Sequence, residues 1–241
     1  MAEPGYYEIN YRALSIRELV RINGSLRLPL TFLTTRLFMK PGGGDWMPSL
    51  SVDTRCAKED LSARFWETTA PQRQEFERLG FTPCSHDKLT RHVNPLYRDN
   101  GSIAYLHSRR STFGFIMYSK VRTPAPVHRD MEQITLAFTA VFSSGSLSCT
   151  NGEVFFDPLP GNQTVFIKSQ DAAVIHTRLD DLLQQRGEPP VEFPNWEAVR
   201  SWSDANAVAL FEHRVRRGLY VRMPEDEVQR RLPPPLPKIS F

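Results

Sequence analysis

Residues 132–168 constrain the fold more than any other part of the chain. Ile134, Leu136, Phe138, Ala140 and Phe142 alternate with Thr135, Ala137, Thr139 and Val141, a period of two that puts one apolar set on a single face of a strand. Ser143, Ser144 and Gly145 follow as a turn, and Asn151 with Gly152 makes a dipeptide suited to a two-residue hairpin, because both residues tolerate positive φ. The segment therefore predicts neighbouring antiparallel strands. Asn100 with Gly101 predicts another hairpin ahead of residues 102–108, and residues 111–121 read as a further strand. The expected sheet has about five to seven antiparallel strands.

Helical patterns flank this sheet on both sides. Ser15 and Glu18 have capping-box spacing ahead of Leu19, and Asn23 with Gly24 ends the pattern. Residues 25–38 read as a strand passing into a helix, and Pro41 to Asp45, rich in glycine, begin an irregular connection to about residue 57. From residue 58 to 79 the pattern is helical, with Leu61 and Phe65 on one turn pair, Pro71 restarting a second helix and Gly80 closing it. Beyond the sheet, Ser169 is placed to cap a helix striped by Ala172, Ile175, Leu179, Leu182 and Leu183, which Gly187, Pro189 and Pro190 terminate. Asn195 is placed to cap a second helix and Ser203 to start a third. Helices, then strands, then helices indicate a single-domain α+β fold. The expected division is a segment 1–57 packing on the core, an α+β core at 58–220 and a proline-rich tail at 221–241.

Charge and cysteine usage exclude several classes. The 30 basic and 27 acidic residues are dispersed and leave a net charge of +3, too balanced for a nucleic-acid footprint. Three widely spaced cysteines write no disulfide framework. The polar N-terminus lacks the apolar core of a secretory signal, and no apolar run is long enough to span a bilayer, so a soluble cytoplasmic protein is expected. On the same ground the sequons at Asn23, Asn100 and Asn162 read as turns.

Motifs for chemistry are sparse. His128, Arg129 and Asp130 repeat a kinase catalytic-loop triplet, but Thr135 stands where the second metal ligand belongs and no other kinase element accompanies it. Cys84, His86, His92 and His107 are thiolate and imidazole ligands by type, yet their spacing matches no usual zinc site, so neither metal nor cofactor is expected. Cys149 in a strand and His176 in the next helix form the one nucleophile and base pair on offer, for a thiol-dependent hydrolase or transferase. Basic residues Arg109, Arg110, Lys120, Arg122 and Arg129 flank a strand whose ends lie roughly 30 Å apart, and the run at Arg214, Arg216, Arg217 and Arg222 falls near a helix C-terminus, where cations complement the dipole.

Residues 231–237 resemble an SH3-domain ligand in the orientation that begins with a basic residue. Arg231 supplies the charge, Pro234 and Pro237 the PxxP, and Pro233 and Leu236 the apolar positions. The resemblance implies a polyproline II segment docking on an aromatic groove of a protein partner; the structural alternative is a stiff strap pinned by Ile239 and Phe241. The leading functional expectation is a non-enzymatic binding module for a small apolar ligand or a protein partner, its cavity lined by the sheet's phenylalanines.

Overall fold

A computed structural model describes residues 5–23, 46–48, 54–88, 97–122 and 130–231. In chain order they form β1 (Tyr6–Ile9), α1 (Ile16–Asn23), β2 (Trp46–Pro48), α2 (Ala63–Thr68), α3 (Ala70–Arg78), β3 (Phe81–Asp87), β4 (Tyr97–His107), β5 (Thr112–Arg122), β6 (Asp130–Phe142), β7 (Gly145–Thr150), β8 (Asn162–Phe166), α4 (Ala172–Arg186), α5 (Trp196–Arg216), β9 (Tyr220–Arg222) and α6 (Glu225–Arg231). The fold is α+β. The chain packs as two compact units, one built from Thr54–Glu153 and Pro160–Trp202, the other from Met1–Asp53, Val154–Leu159 and Ser203–Phe241.

The larger unit holds a six-stranded sheet in the order β3-β4-β5-β6-β7-β8. The alternation along β6 does what its period requires. Leu136, Phe138 and Ala140 enter a core with Ile116 and Tyr118 of β5, Phe65 of α2, Phe76 of α3, and Ile175 and Leu179 of α4. Val141 faces the opposite way and joins Phe113, Phe193 and Val199 beneath the start of α5. Both faces of the sheet are thus covered by helix. Phe76 stacks on Phe138 with ring centroids 4.5 Å apart and tilts against Phe81 at 5.4 Å, so these phenylalanines fill the interior by packing on one another.

The sheet is mostly, not wholly, antiparallel. β7 and β8 run parallel, with Ser146 opposite Asn162 and Cys149 opposite Val165. Asn151 and Gly152 therefore do not make the expected hairpin. Asn151 instead seals the neighbouring strand: its Oδ1 accepts from the Leu136 N–H at 2.7 Å, and its own N–H donates to the Leu136 carbonyl at 3.2 Å. Residues 151–161, rather than a tight turn, then carry the chain to β8, which a parallel return requires.

Asn100 and Gly101 are not a turn either, because β4 runs straight through them. Glycine stands at position 101 for closeness: a Cβ there would lie 2.7 Å from Leu61 Cδ2 and 2.9 Å from Phe65 Cδ2, so the absence of a side chain lets α2 settle on the strand. The β4–β5 connection instead follows His107, with Arg110 at φ 58°. Among the helices, the cap of α4 is Asp171, whose carboxylate accepts from Ala173 and Val174 N–H, while Ser169 braces it by accepting from the Asp171 N–H. Ser203 starts no new helix. With no Gly or Pro between Asn195 and Gly218, α5 continues through it, tertiary packing overriding the weak helix propensity of Ser and Asp.

In the smaller unit β1 lies between β2 and β9, so segments from opposite ends of the described chain share one sheet. The capping box at α1 forms as its spacing predicts, the Glu18 N–H donating to Ser15 Oγ at 3.2 Å and the Ser15 N–H to Glu18 Oε2 at 2.7 Å. Residues 25–38 and 41–45, His92, His128, Arg129, Pro233, Pro234, Leu236, Pro237, Ile239 and Phe241 lie outside the described residues.

Candidate functional site

The residues that converge on an open polar groove come from the exit of α3, the β4–β5 turn and one face of α4. Each is positioned by a local feature of the sequence. Gly80 ends α3 at φ +85°, and a Cβ there would come 3.2 Å from His107 Nε2. Glycine thus provides the left-handed exit and leaves room for the imidazole. Pairing of β3 with β4 sets Phe81 opposite His107, which brings the ring over the end of α3.

His107 has both nitrogens engaged by backbone. Nδ1 accepts from the Arg109 N–H at 3.1 Å, and Nε2 lies 3.1 Å from the Leu79 carbonyl. Only the tautomer protonated on Nε2 satisfies both partners, so that N–H caps a carbonyl at the negative end of α3. Burial, together with the Arg109 charge, holds His107 below the ordinary histidine range, against the opposing pull of the Leu79 carbonyl.

His176 lies on α4 beside Ile175, which enters the core. Its ring stands edge-on to Phe81 at 5.4 Å and Phe138 at 5.2 Å, and near-parallel to His107 at 6.1 Å. One helical turn on, Asp180 Oδ2 sits 3.2 Å from His176 Nδ1, and only 13% of the His176 side chain is exposed. The carboxylate favours the proton on Nδ1, leaving Nε2 as an acceptor; among the described residues nothing hydrogen-bonds to it. Burial lowers the pKa of His176, the Asp180 carboxylate opposes this, and His107 and Arg109 lower it further. Both imidazoles are therefore neutral near pH 7.

These groups line a groove of about 640 Å³ whose polar wall includes Arg78, His107, Arg109, His176, Asp180 and Gln184. Its size suits a small ligand. Among the described residues, neither Arg78 nor Arg109 forms an ion pair through its guanidinium. That contrasts with three of the other cations noted in the sequence. Lys120 lies 3.3 Å from Glu132, Arg110 donates to the Pro194 carbonyl at 2.8 Å, and Arg214 stacks over Phe156 and donates to the Tyr220 hydroxyl at 2.7 Å.

The expected pair of Cys149 and His176 is not joined by a hydrogen bond. Cys149 is fully buried in the apolar core, and burial pushes its thiol up to about 11, the opposite of the lowered value a thiolate nucleophile needs. What His176 meets instead is His107 and Asp180. Cys84 and His86 lie on β3 five or fewer positions from Phe81, and at about 3.3 Å per residue His86 is displaced roughly 16 Å along the strand from the level of His107. Among the described residues no group of three or more His, Cys, Asp and Glu side chains is placed to hold a metal ion, and no helix is long and apolar enough to cross a membrane. Arg231 is the last residue of α6, and Pro234 and Pro237 of the SH3-ligand resemblance lie outside the described residues.

The spacing of His176 and Asp180, one helical turn apart, is a legible signal in the sequence. Arg78, Arg109 and the role of His107 are not, since they depend on the register of β3 with β4 and on the exit of α3. No protein-family model, curated protein or solved structure matches the chain.

Proposed function

We propose that the protein is a binding module for a small anionic ligand, held in the groove between the end of α3, the β4–β5 turn and α4. The observation that carries this reading is the pair of guanidiniums, Arg78 and Arg109, that form no ion pair among the described residues and lie on a concave polar surface. Arginine presents a planar fork of donors matched to phosphate and carboxylate, and the neighbouring imidazoles, neutral at pH 7, leave that charge uncompensated except by Asp180. The backbone N–H of Arg109 is tied to His107, so the arm that carries the charge is anchored at its root.

An apolar ligand has less support, because the phenylalanines that such a cavity would need pack against one another. Thiol chemistry has less as well, given the burial of Cys149.

The test is calorimetric titration with inorganic phosphate at low salt, on the full chain and on a variant carrying Arg78→Ala and Arg109→Ala. Saturable binding that the double variant weakens by about tenfold or more, and that added salt also weakens, supports the reading. Equal affinity in both proteins, or no saturable binding to the full chain, overturns it.

A further inference from the structure

We infer that the ligand of this groove is a hydroxylated anion, a phosphate monoester or carboxylate whose carbon skeleton carries at least one hydroxyl, with His176 Nε2 accepting that hydroxyl's hydrogen bond. The inference rests on the anion-binding reading of the same groove and adds a second point of recognition.

The two imidazoles of the groove differ in one decisive respect. His107 has no hydrogen-bonding capacity left, since the Arg109 N–H occupies Nδ1 and the Leu79 carbonyl faces Nε2. His176 has one nitrogen directed to Asp180 at 3.2 Å and the other without a hydrogen-bond partner among the described residues. A neutral imidazole whose Nδ1 proton faces a carboxylate is an acceptor at Nε2 and nothing else. An ionised alkyl carboxylate or a dianionic alkyl phosphate brings only acceptors to that atom. A ligand complementary to both parts of the groove must pair acceptors, for Arg78 and Arg109, with a donor for His176, and a hydroxyl is the simplest such donor.

The ring is also held in place for this task. Phe81 and Phe138 meet it edge-on, His107 lies against its face, and Asp180 selects the tautomer. Asp180 acts here as a positioning residue. The groove offers further hydroxyl partners in Ser111, Thr112 and Thr177, in keeping with a polyol skeleton rather than a bare alkyl chain.

The experiment compares matched probes that differ only in hydroxyls: glycerol phosphate against propyl phosphate, and glycerate against propionate. The full chain is expected to prefer the hydroxylated member of at least one pair by about tenfold, the effect of one well-placed hydrogen bond. A preference in the phosphate pair alone indicates a phosphate monoester, and one in the carboxylate pair alone a hydroxy acid. His176→Phe, which keeps an aromatic ring against Phe81 and Phe138, should abolish the preference, and a preference that survives in that variant overturns the inference. If that variant does not fold, the Nε2 nitrogen resonance of the unaltered protein gives the same answer, shifting with the hydroxylated probe and not with its partner. Asp180→Asn should lower the titration midpoint of His176, whose proton the carboxylate favours, and reduce the preference, a change that loss of a purely structural contact would not produce. Equal binding within both pairs overturns the hydroxyl inference while leaving anion binding intact, and failure of every probe to bind overturns both.

Discussion

Glu18 in the smaller unit and His176 in the larger are both titratable, both shielded from water and both held by named neighbours, yet their surroundings are built to opposite ends. Glu18 is fully buried and has every oxygen engaged. Arg217 meets it with both guanidinium nitrogens at 3.0 and 2.7 Å, the Asp157 N–H donates at 2.8 Å and the Ser15 N–H at 2.7 Å. Burial alone would raise its pKa, but Arg217 and these backbone donors outweigh it and hold the carboxyl at about 2. Such a cluster is closed: it ties α1 to the residues after α5 and to the segment around Asp157, and has no valence left for a ligand. Among the described residues, His176 keeps a nitrogen without a hydrogen-bond partner in a groove it shares with two cations that form no ion pair. Satisfied polar burial marks a structural joint, and an unsatisfied acceptor in a concavity marks a place to look for recognition.

The comparison is easiest to break at Glu18. Glu18→Ala leaves Arg217 largely buried without its counter-charge and should cost about 3–5 kcal/mol, read as a lower urea midpoint. A loss below about 1 kcal/mol would mean that the bracket is no more than a surface ion pair. His107→Phe comes next. It strands the Leu79 carbonyl and the Arg109 N–H and should cost about 1–3 kcal/mol, while also loosening the arm of Arg109, so phosphate affinity should fall with stability. Unchanged stability in that variant would show that the two backbone bonds do not hold the turn.

Acid separates the two regions by pH window. The folded-state values of His107 and His176 are depressed, so the unfolded chain takes up protons first. Their contribution is complete above the ordinary histidine value of about 6.5 and is lost as pH falls through it toward the folded values. Glu18 is also depressed, so its contribution is complete above the ordinary carboxylate value of about 4.3 and is lost as pH falls toward about 2. Stability followed against pH should therefore decline in two steps, and His107→Phe should shrink the upper one alone. A single step near pH 4 would contradict the assignment of neutral, backbone-locked imidazole.

The smallest effect sharpens the contrast from the other side. Asp180 is half exposed, so Asp180→Asn should change stability by no more than about 0.5 kcal/mol. A loss as large as that of the Glu18 variant would make the groove a structural joint as well.

Much of this molecule is legible along the chain, and the boundary falls where local rules stop. The capping box at Ser15 and Glu18, the alternation of β6, the turn at Ser143 and Ser144, the apolar stripe of α4 and its end at Gly187 all follow from contacts within a few residues. Each reports a period or a cap, and these act before tertiary packing. The failures share a different cause. Asn100 with Gly101 and Asn151 with Gly152 are strong turn dipeptides locally, but a helix resting on Gly101 and the bonds of the Asn151 side chain and N–H to the Leu136 backbone give each another use. The burial of Cys149 and the meeting of His176 with Asp180 were equally illegible, because strand and helix order says nothing about which neighbours packing will supply.

Sequence alone determined that the chain would be an α+β protein with a strand-rich centre, flanking amphipathic helices and no assembled motif for familiar chemistry, because hydrophobic period and capping are one-dimensional properties. Tertiary structure decided that β8 returns parallel, that Glu18 is neutralised from a helix end distant in the chain, and that Arg78, His107, Arg109 and His176 share one groove. Those outcomes depend on strand register and on which buried polar groups find partners. Register is fixed only when sheet and helices pack together, and a charge or imidazole acquires its protonation state from the neighbours that packing supplies.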